Sequence, residues 1–337
     1  MSFENQAAWQ PGPRADLEIK TAPQYIPEAG EILIKNQAVS IQPFDARIRA
    51  EAYVNVPYPF ILGSTIAGTV EVVGPDVTAF KVGDRVVSDT PTYAHKESTK
   101  WGGWQKYVVS KAATTAEIGH ADFDQAVALP FALLTAVAAL HLYLGVEKLG
   151  EGLAKEGEKV LIWGAGGSVG GYAVQYAKSV GYSVIATASP RGFERLKELG
   201  ASQVLDYRSQ DVISQLKSLG PFKYAMTASG DGASQLAIAE ILQPVGGKFA
   251  STLGGDVDIP SNVERVYGPF SQATQKLQFK DFADWWYRQY LPKVIKENLV
   301  EPTPVEKRAG GLAAIQRAAD DIATGVAKKK LVLNPQE

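Results

Sequence analysis

Residues Val160–Lys178 read VLIWGAGGSVGGYAVQYAK, and this stretch limits what the rest of the chain can become. A short apolar run, Val160-Leu161-Ile162-Trp163, breaks into seven residues of which four are glycine. Small or apolar residues then recur at Val169, Tyr172, Ala173, Tyr176, Ala177 and Val180. That i, i+3, i+4 spacing marks one face of a helix. Strand, glycine turn and helix in this order form the opening of a dinucleotide-binding βαβ unit. The turn is tight, the pyrophosphate approaches the backbone, and the helix packs close to its strand. The helix start offers unpaired N–H groups and a positive dipole end to phosphate. Val169 stands where a strict G-x-G-x-x-G pattern has its third glycine, leaving Gly164-x-x-Gly167-x-x-Gly170. Gly164, Gly167, Ser168 and Val169 are therefore the expected phosphate cradle, against the alternative of an ordinary strand-to-helix loop.

The next predicted strand, Ser183–Thr187, bears on which dinucleotide is bound. An acid at its end would accept hydrogen bonds from the ribose of NAD. Here come Ser189, Pro190 and Arg191 instead, a hydroxyl and a cation suited to a 2′-phosphate. Arginine suits phosphate because its planar fork donates two parallel hydrogen bonds. The expected cofactor is NADP(H); the competing reading makes Ser-Pro a simple helix start.

A length of 337 residues favours two domains with a sizeable core. Hydrophobic content of 45% and a net charge of −2 give no basic patch, so nucleic acid is not an expected partner. There is no cysteine, which excludes disulfides and thiolate-held zinc. Met1–Asn5 has neither a basic start nor an apolar core, so no signal peptide is expected. Ala126–Val146 lacks Asp, Glu, Lys and Arg but contains Pro130, Thr135, His141 and Tyr143, and reads as a buried helix rather than a membrane span. The expectation is a cytoplasmic protein with a small-molecule substrate and no membrane partner, as a monomer or homodimer.

Up to about residue 125 the chain is β-rich, with strands expected at 31–39, 67–74, 82–87 and 104–109. This predicts a small antiparallel barrel or sandwich. From Val160 onward, strands and helices alternate as far as Gly255, which predicts a doubly wound parallel sheet. Beyond it come an aromatic helix at 282–290 that leads to Pro292, a helix at 312–324 and a closing strand at 330–333.

Several segments together resemble the medium-chain dehydrogenase/reductase superfamily over nearly the whole chain. They are Leu62–Val70, Phe80–Val86, Gly103–Val109, Leu134-Thr135-Ala136 with Ala139-Leu140, and the glycine loop. The resemblance implies a GroES-like β-barrel domain (1–126 and 271–337) and a Rossmann NADP(H)-binding domain (127–270). Zinc-bearing members place His and Glu ligands where this chain has Gly63-Ser64-Thr65, and a Cys or Asp near Ile41–Asp45. Hydroxyls are poor zinc ligands, so a zinc-free site is expected. His95, His120 and His141 have no partner at metal spacing and read as structural.

Within the zinc-independent branch, Ser189-Pro190-Arg191 and Asp206-Tyr207-Arg208 look most like fungal stand-alone trans-enoyl reductases, and quinone oxidoreductases are also similar. The resemblance puts Ser189 and Tyr207 around the 2′-phosphate and matches Lys178 to a phosphate-facing lysine, although a solvated helix-end charge is an equal reading. It puts Thr135 beside the nicotinamide with Leu253 and Gly254, and makes Pro43 and Asp45 cofactor-facing, with helix capping as the alternative for Asp45. It implies NADPH-dependent reduction of an activated carbon–carbon double bond (enone, enoyl or quinone). Tyr53 and Thr135 are the candidate catalytic residues, Tyr53 as a phenol protonated at neutral pH. Trp285-Trp286-Tyr287 reads as a core or dimer contact before a substrate roof. The alternatives are an NADPH-binding protein with little turnover, or a metal-free carbonyl reductase. The latter is disfavoured because no Tyr-x-x-x-Lys pair stands at catalytic spacing.

Overall fold

A computed structural model describes residues 4–327 and 329–337. The N-terminal part contains β1 (Gln6–Gln10), β2 (Glu18–Thr21), β3 (Glu31–Ser40), α1 (Pro43–Glu51), β4 (Phe60–Ile61), β5 (Thr65–Val73), β6 (Arg85–Asp89), β7 (Tyr107–Lys111) and β8 (Thr115–Glu117). After α2 (Phe123–Val127) and α3 (Pro130–Val137) the alternation begins. It runs β9 (Lys159–Trp163), α4 (Ser168–Ser179), β10 (Ser183–Ala188), α5 (Phe193–Glu198), β11 (Ala201–Asp206), α6 (Val212–Leu219), β12 (Tyr224–Thr227), α7 (Gly232–Leu242), β13 (Gly247–Ser251) and β14 (Val263–Tyr267). The chain closes with α8 (Lys280–Trp285), α9 (Leu291–Glu297), β15 (Val305–Arg308), α10 (Ile315–Ala323) and β16 (Lys330–Leu333). These elements form two compact units, Met1–Phe131 with Thr274–Glu337, and Ala132–Ala273.

In the first unit β3 is the hub. It pairs antiparallel with β5 along most of its length, with β7 through Glu31–Lys35, and with β16 through Val39 and Ser40. Ten residues can serve three partners because the ladder to β5 slips at Leu33/Ile34 and again between Asn36 and Ala38, bending the strand. Gly68 on β5 marks the tightest place, since a Cβ there would lie 1.9 Å from the Lys35 carbonyl oxygen. Ile32, Ile34, Ile66, Val70, Val86 and Val108 fill the interior, each fully buried. Burying side chains of this size contributes about 1.5–3 kcal/mol each. The helix α10 buries Ile315, Ala318 and Ala319 on one stripe and packs against α1.

The second unit is a six-stranded sheet in the order β11-β10-β9-β12-β13-β14, with parallel neighbours throughout. Order and direction are those of a doubly wound Rossmann sheet. The apolar runs of the central strands reflect burial on both faces, with Leu161, Ile185, Ala225 and Phe249 meeting Val212, Leu216, Ile238 and Leu242. The switch in strand order falls between β9 and β12, where the ends of β9 and β10 open onto the glycine turn.

Three features depart from the sequence reading. The alternation does not stop at Gly255: β14, reading VERVY, adds a sixth strand whose edge position leaves room for charge at Glu264 and Arg265. The strands β1 and β2 were not expected, and β2 is exposed along its length. Pro292 does not end the aromatic helix. A π-helical turn at Trp286–Tyr290 leads into α9, whose first turn holds Pro292 where its missing N–H is not needed. The apolar stretch is helical over Phe123–Leu144, long and apolar enough to cross a membrane by length alone, and most of it is buried inside the protein.

The approach of α4 to β9 rests on Gly170. A Cβ there would lie 2.6 Å from Ala165 Cα and 2.7 Å from the Gly164 oxygen, both backbone atoms. At Gly171 the nearest atom would be 3.5 Å away, on the Leu199 side chain. Gly170→Ala should therefore destabilise the protein by roughly 1–3 kcal/mol. Gly171→Ala should be neutral or stabilising by up to about 1 kcal/mol, because alanine favours helix. Thermal unfolding of the two variants checks this pair, and equal behaviour would contradict the close-packing assignment.

Candidate active site

The glycine turn opens onto a cavity of about 630 Å³ in the second unit. Its walls include Gly164, Gly166 and Gly167, then Ser189, Arg191 and Tyr207. The turn is held from β10: Thr187 Oγ1 accepts from the Gly164 N–H at 3.1 Å, and the Thr187 carbonyl from the Ala165 N–H at 2.8 Å. Gly164 has φ +75°, and a Cβ there would press within 3.0 Å of the Ser229 backbone nitrogen. Nothing lies within 4 Å of a Cβ placed on Gly167, which begins α4, so the ground before the helix N-terminus is open. Ser168 and Val169 form the first two positions of the helix. An open glycine floor under a twelve-residue helix start is an anion cradle.

Ser189 and Tyr207 converge for a reason the register makes plain. Ala188 pairs with Asp206 across β10 and β11, so the next residue of each strand leaves the sheet beside the other. Arg191 follows in the short turn after Ser189 and is exposed. Sequence reasoning gave no role to Arg208. Its Nε donates to the Tyr207 hydroxyl at 3.1 Å, and its guanidinium carbon lies 5.1 Å from the ring centroid. A second cation therefore stands beside the same aromatic wall, a placement only the β10–β11 register reveals.

Lys178 is corrected by its position. It belongs to the last turn of α4, ten residues from Ser168, and at 1.5 Å per residue that is about 15 Å from the cradle. Its stem packs beside Gly200, where a Cβ would come within 2.8 Å of it. The structure does not bring it to the cavity.

Leu253 and Gly254 lie just beyond β13 in the same unit, with Leu253 half-exposed. Two residues that sequence reasoning missed hold this loop. Buried Gln235 donates through Nε2 to the Gly230 and Gly254 carbonyls at 2.7 and 3.2 Å, and Arg265 donates to Gln235 Oε1 at 2.8 Å and to the Gly255 carbonyl at 2.6 Å. A glutamine on the buried face of α7 gives no signal in a periodicity scan. Thr135 is buried on α3.

In the first unit, Pro43 opens α1 and is exposed, whereas Asp45 in the same turn is fully buried. The N-cap residue Gln42 makes no side-chain cap bond, and the Gln42 backbone N–H serves the Asp45 carboxylate in the first turn. Its Oδ1 accepts from the Tyr93 hydroxyl at 2.7 Å, and its Oδ2 from the Ser64 hydroxyl at 3.1 Å and Ser64 N–H at 3.3 Å. Burial pushes the Asp45 carboxyl up to about 6, despite these donors. A second buried carboxyl, Asp89, accepts from Thr65 Oγ1 at 3.2 Å and the Tyr287 hydroxyl at 3.0 Å, and burial raises it to about 7. Burial lowers Lys330 to about 8, while the fields of Asp45 and Asp89 oppose that shift. Tyr53 is half-exposed on this unit, edge-on to Phe44 at 6.2 Å, with the Arg47 guanidinium 5.1 Å above its ring. Trp285, Trp286 and Tyr287 are buried, and Tyr287 faces Asp89.

A zinc ion does not fit this donor set. Ser64 and Thr65 spend their hydroxyl protons on Asp45 and Asp89, and Gln42 accepts from the Lys330 ammonium. Among the described residues no group of three His, Cys, Asp or Glu side chains could hold a metal. His141 Nδ1 bonds the Val146 carbonyl at 2.8 Å and His95 Nε2 meets Lys111 Nζ at 2.7 Å.

The comparisons with known proteins agree with this geometry. The alcohol dehydrogenase GroES-like domain family matches residues 28–120, and the zinc-binding dehydrogenase family matches residues 168–267. The zinc-binding alcohol dehydrogenase domain-containing protein cipB of Emericella nidulans is 33% identical over 99% of both chains. The trans-enoyl reductase himH of Aspergillus japonicus is 31% identical over 98% of both. Among solved structures, a mycobacterial quinone oxidoreductase superposes with a TM-score of 0.74 at 26% identity, covering 98% of this chain and all of that one. The chain belongs to the medium-chain dehydrogenase/reductase family of oxidoreductases.

Asp89 yields a pH test. A carboxyl whose folded pKa exceeds its unfolded value of about 3.9 stabilises the fold fully only below that value, and loses the contribution as pH rises through the folded pKa. With Asp89 at about 7, Asp89→Asn should gain on the wild type between pH 4 and 7 and hold the gain above it. The relative shift in Tm should reach roughly 5 °C. A difference that stays flat or reverses across this window would contradict the buried-carboxyl assignment.

Proposed function

We propose that this protein is an NADPH-dependent, zinc-independent reductase of activated carbon–carbon double bonds in enone, enoyl or quinone substrates. The observation that carries the reading is the cavity lined by the glycine cradle, Ser189, Arg191 and Tyr207, with no acid at the end of β10. A reduced nicotinamide bound through this cradle would supply hydride for the β-carbon of an alkene conjugated to a carbonyl. Gly167, Ser168 and Val169 present backbone N–H groups to the pyrophosphate, while Gly164, its own N–H held by Thr187, shapes the turn beneath it. Arg191 grips the 2′-phosphate with its fork, Ser189 donates a hydroxyl, and Tyr207, steadied by Arg208, closes the side.

Thr135, Leu253 and Gly254 are assigned to the nicotinamide end, and Pro43 and Asp45 to the cofactor-facing edge of the first unit. Asp45 acts there as a positioning residue, since its own oxygens are filled by Tyr93 and Ser64. Charge that develops on the substrate oxygen needs neutral donors rather than a strong acid. Tyr53 or water returns the proton to the α-carbon; the Tyr53 ring is half-exposed, edge-on to Phe44 and under Arg47. The name of the fungal relative himH, a trans-enoyl reductase, supports this substrate class. The ammonium partner of Gln42 and the carboxylate partners of Ser64 and Thr65 support the absence of zinc.

Arg191→Ala should weaken NADPH binding roughly ten- to a hundredfold and leave NADH nearly unchanged, as expected for one charge-assisted contact. NADPH oxidation against a panel of enones, quinones and acyl thioesters should persist after prolonged chelation. Equal weakening of both cofactors would remove the 2′-phosphate assignment, and activity that returns only with zinc would remove the metal-free one.

A further inference from the structure

The segment after β13 reads Leu253-Gly254-Gly255, so two of its three positions carry no side chain and the third is half-exposed. Packing cannot hold such a segment, because glycine brings the most backbone freedom and no apolar surface. Its position has to come from hydrogen bonds. Ser251 Oγ donates to the Leu253 carbonyl at 2.7 Å and Thr252 Oγ1 to the Ala228 carbonyl at 3.1 Å, which fixes the segment as far as Leu253. Among the described residues, the side-chain bonds to the Gly254 and Gly255 carbonyls come from Gln235 Nε2 at 3.2 Å and Arg265 Nη1 at 2.6 Å.

Gln235 lies on α7 and is 1% exposed, and Arg265 is half-buried on the edge strand β14. Arginine has donors and no acceptor, so its 2.8 Å bond to Gln235 Oε1 dictates which way the amide points. The oxygen must face the guanidinium, and the NH2 group must face the carbonyls of Gly230 and Gly254. Turning the amide over would set donor against donor and leave those carbonyls unpaired, which is costly in a dry interior. One cation thus orients one amide, and the amide gathers the turns that follow β12 and β13. Both turns leave the C-terminal edge of the parallel sheet, where an open α/β sheet takes its ligands.

The two turns do not depend on the amide equally. Gly230 keeps another anchor, since its N–H donates to Thr227 Oγ1 at 2.9 Å, and Asp231 beside it caps α7 by accepting from the Ser234 N–H at 2.9 Å. Ser229 and Asp231, which line the cavity of the glycine cradle, therefore hold their places without Gln235. Gly254 and Gly255 lie beyond the last serine or threonine anchor.

We propose that Gln235 and Arg265 are positioning residues for the nicotinamide half of the cofactor, setting where Leu253–Gly255 stands and leaving the adenosine half untouched. This rests on the reading of Leu253 and Gly254 as the nicotinamide end. The two residues need not meet the ring, because they act through the backbone they hold.

The test measures dissociation constants of two probes on the full chain, wild type and Gln235→Met. One probe is NADPH; the other is adenosine 2′,5′-bisphosphate, which carries the 2′-phosphate and no nicotinamide. Gln235→Met should weaken NADPH roughly three- to tenfold and leave the bisphosphate within about twofold of wild type. The fluorescence of bound NADPH, which reports the surroundings of the nicotinamide, should move toward that of the free cofactor. Equal weakening of both probes would mean that the pair only braces the fold, and would overturn the proposal, as would no change in either. Should Gln235→Met fail to fold, Arg265→Met at the sheet edge is read by the same two constants with the same meaning. A wild type that binds neither probe removes the NADPH reading and this proposal together. A wild type that binds both, with variants that move them in step, removes this proposal alone.

Discussion

Helix α4 starts where it does because Gly170 lets its first turn lie on the backbone of Ala165 and Gly164. No side chain of any size fits that contact, so it is enforced by excluded volume rather than by a favourable attraction. The rest of the nucleotide end follows. The turn is anchored from β10 through Thr187, the helix N-terminus faces open ground beyond Gly167, and the parallel register delivers Ser189 and Tyr207 to the rim. A cavity with an amide floor and a cationic edge is what sheet pairing and one close approach produce together.

The barrel unit solves a different problem. A family scaffold that elsewhere holds a metal here encloses Asp45 and Asp89, each satisfied by a hydroxyl and a phenol. Such networks tolerate no half measures, since an unpaired member in a dry interior costs more than the whole arrangement contributes. The raised carboxyls near 6 and 7 show that burial outweighs the donors, which is the cost of keeping polar chemistry inside the barrel. The metal-free reduction proposed above would depend on orienting two flat groups and excluding water.

Legibility in the sequence tracked how local each feature is. The closing strand β16 was read to the residue, because a short apolar run announces a buried strand. The strand β14 escaped because an edge strand tolerates charge, and the helix through Pro292 because a π-helical turn absorbed the expected break. At the site, Gly164, Gly167, Ser189, Arg191 and Tyr207 were legible because each follows a strand end in the same sheet. Lys178 had the right charge at the wrong end of its helix. The contact of Tyr287 with Asp89 joins residues 198 positions apart and leaves no trace in any local pattern.

The central claim is that hydride passes from NADPH to an alkene carbon without metal assistance. Its most direct test uses NADPH carrying deuterium on the transferring face of the nicotinamide, with a conjugated enone as substrate and chelator present throughout. The account predicts one deuterium at the β-carbon of the saturated product and a hydrogen from solvent at the α-carbon. Deuterium on a carbinol carbon, with the double bond intact, would contradict it.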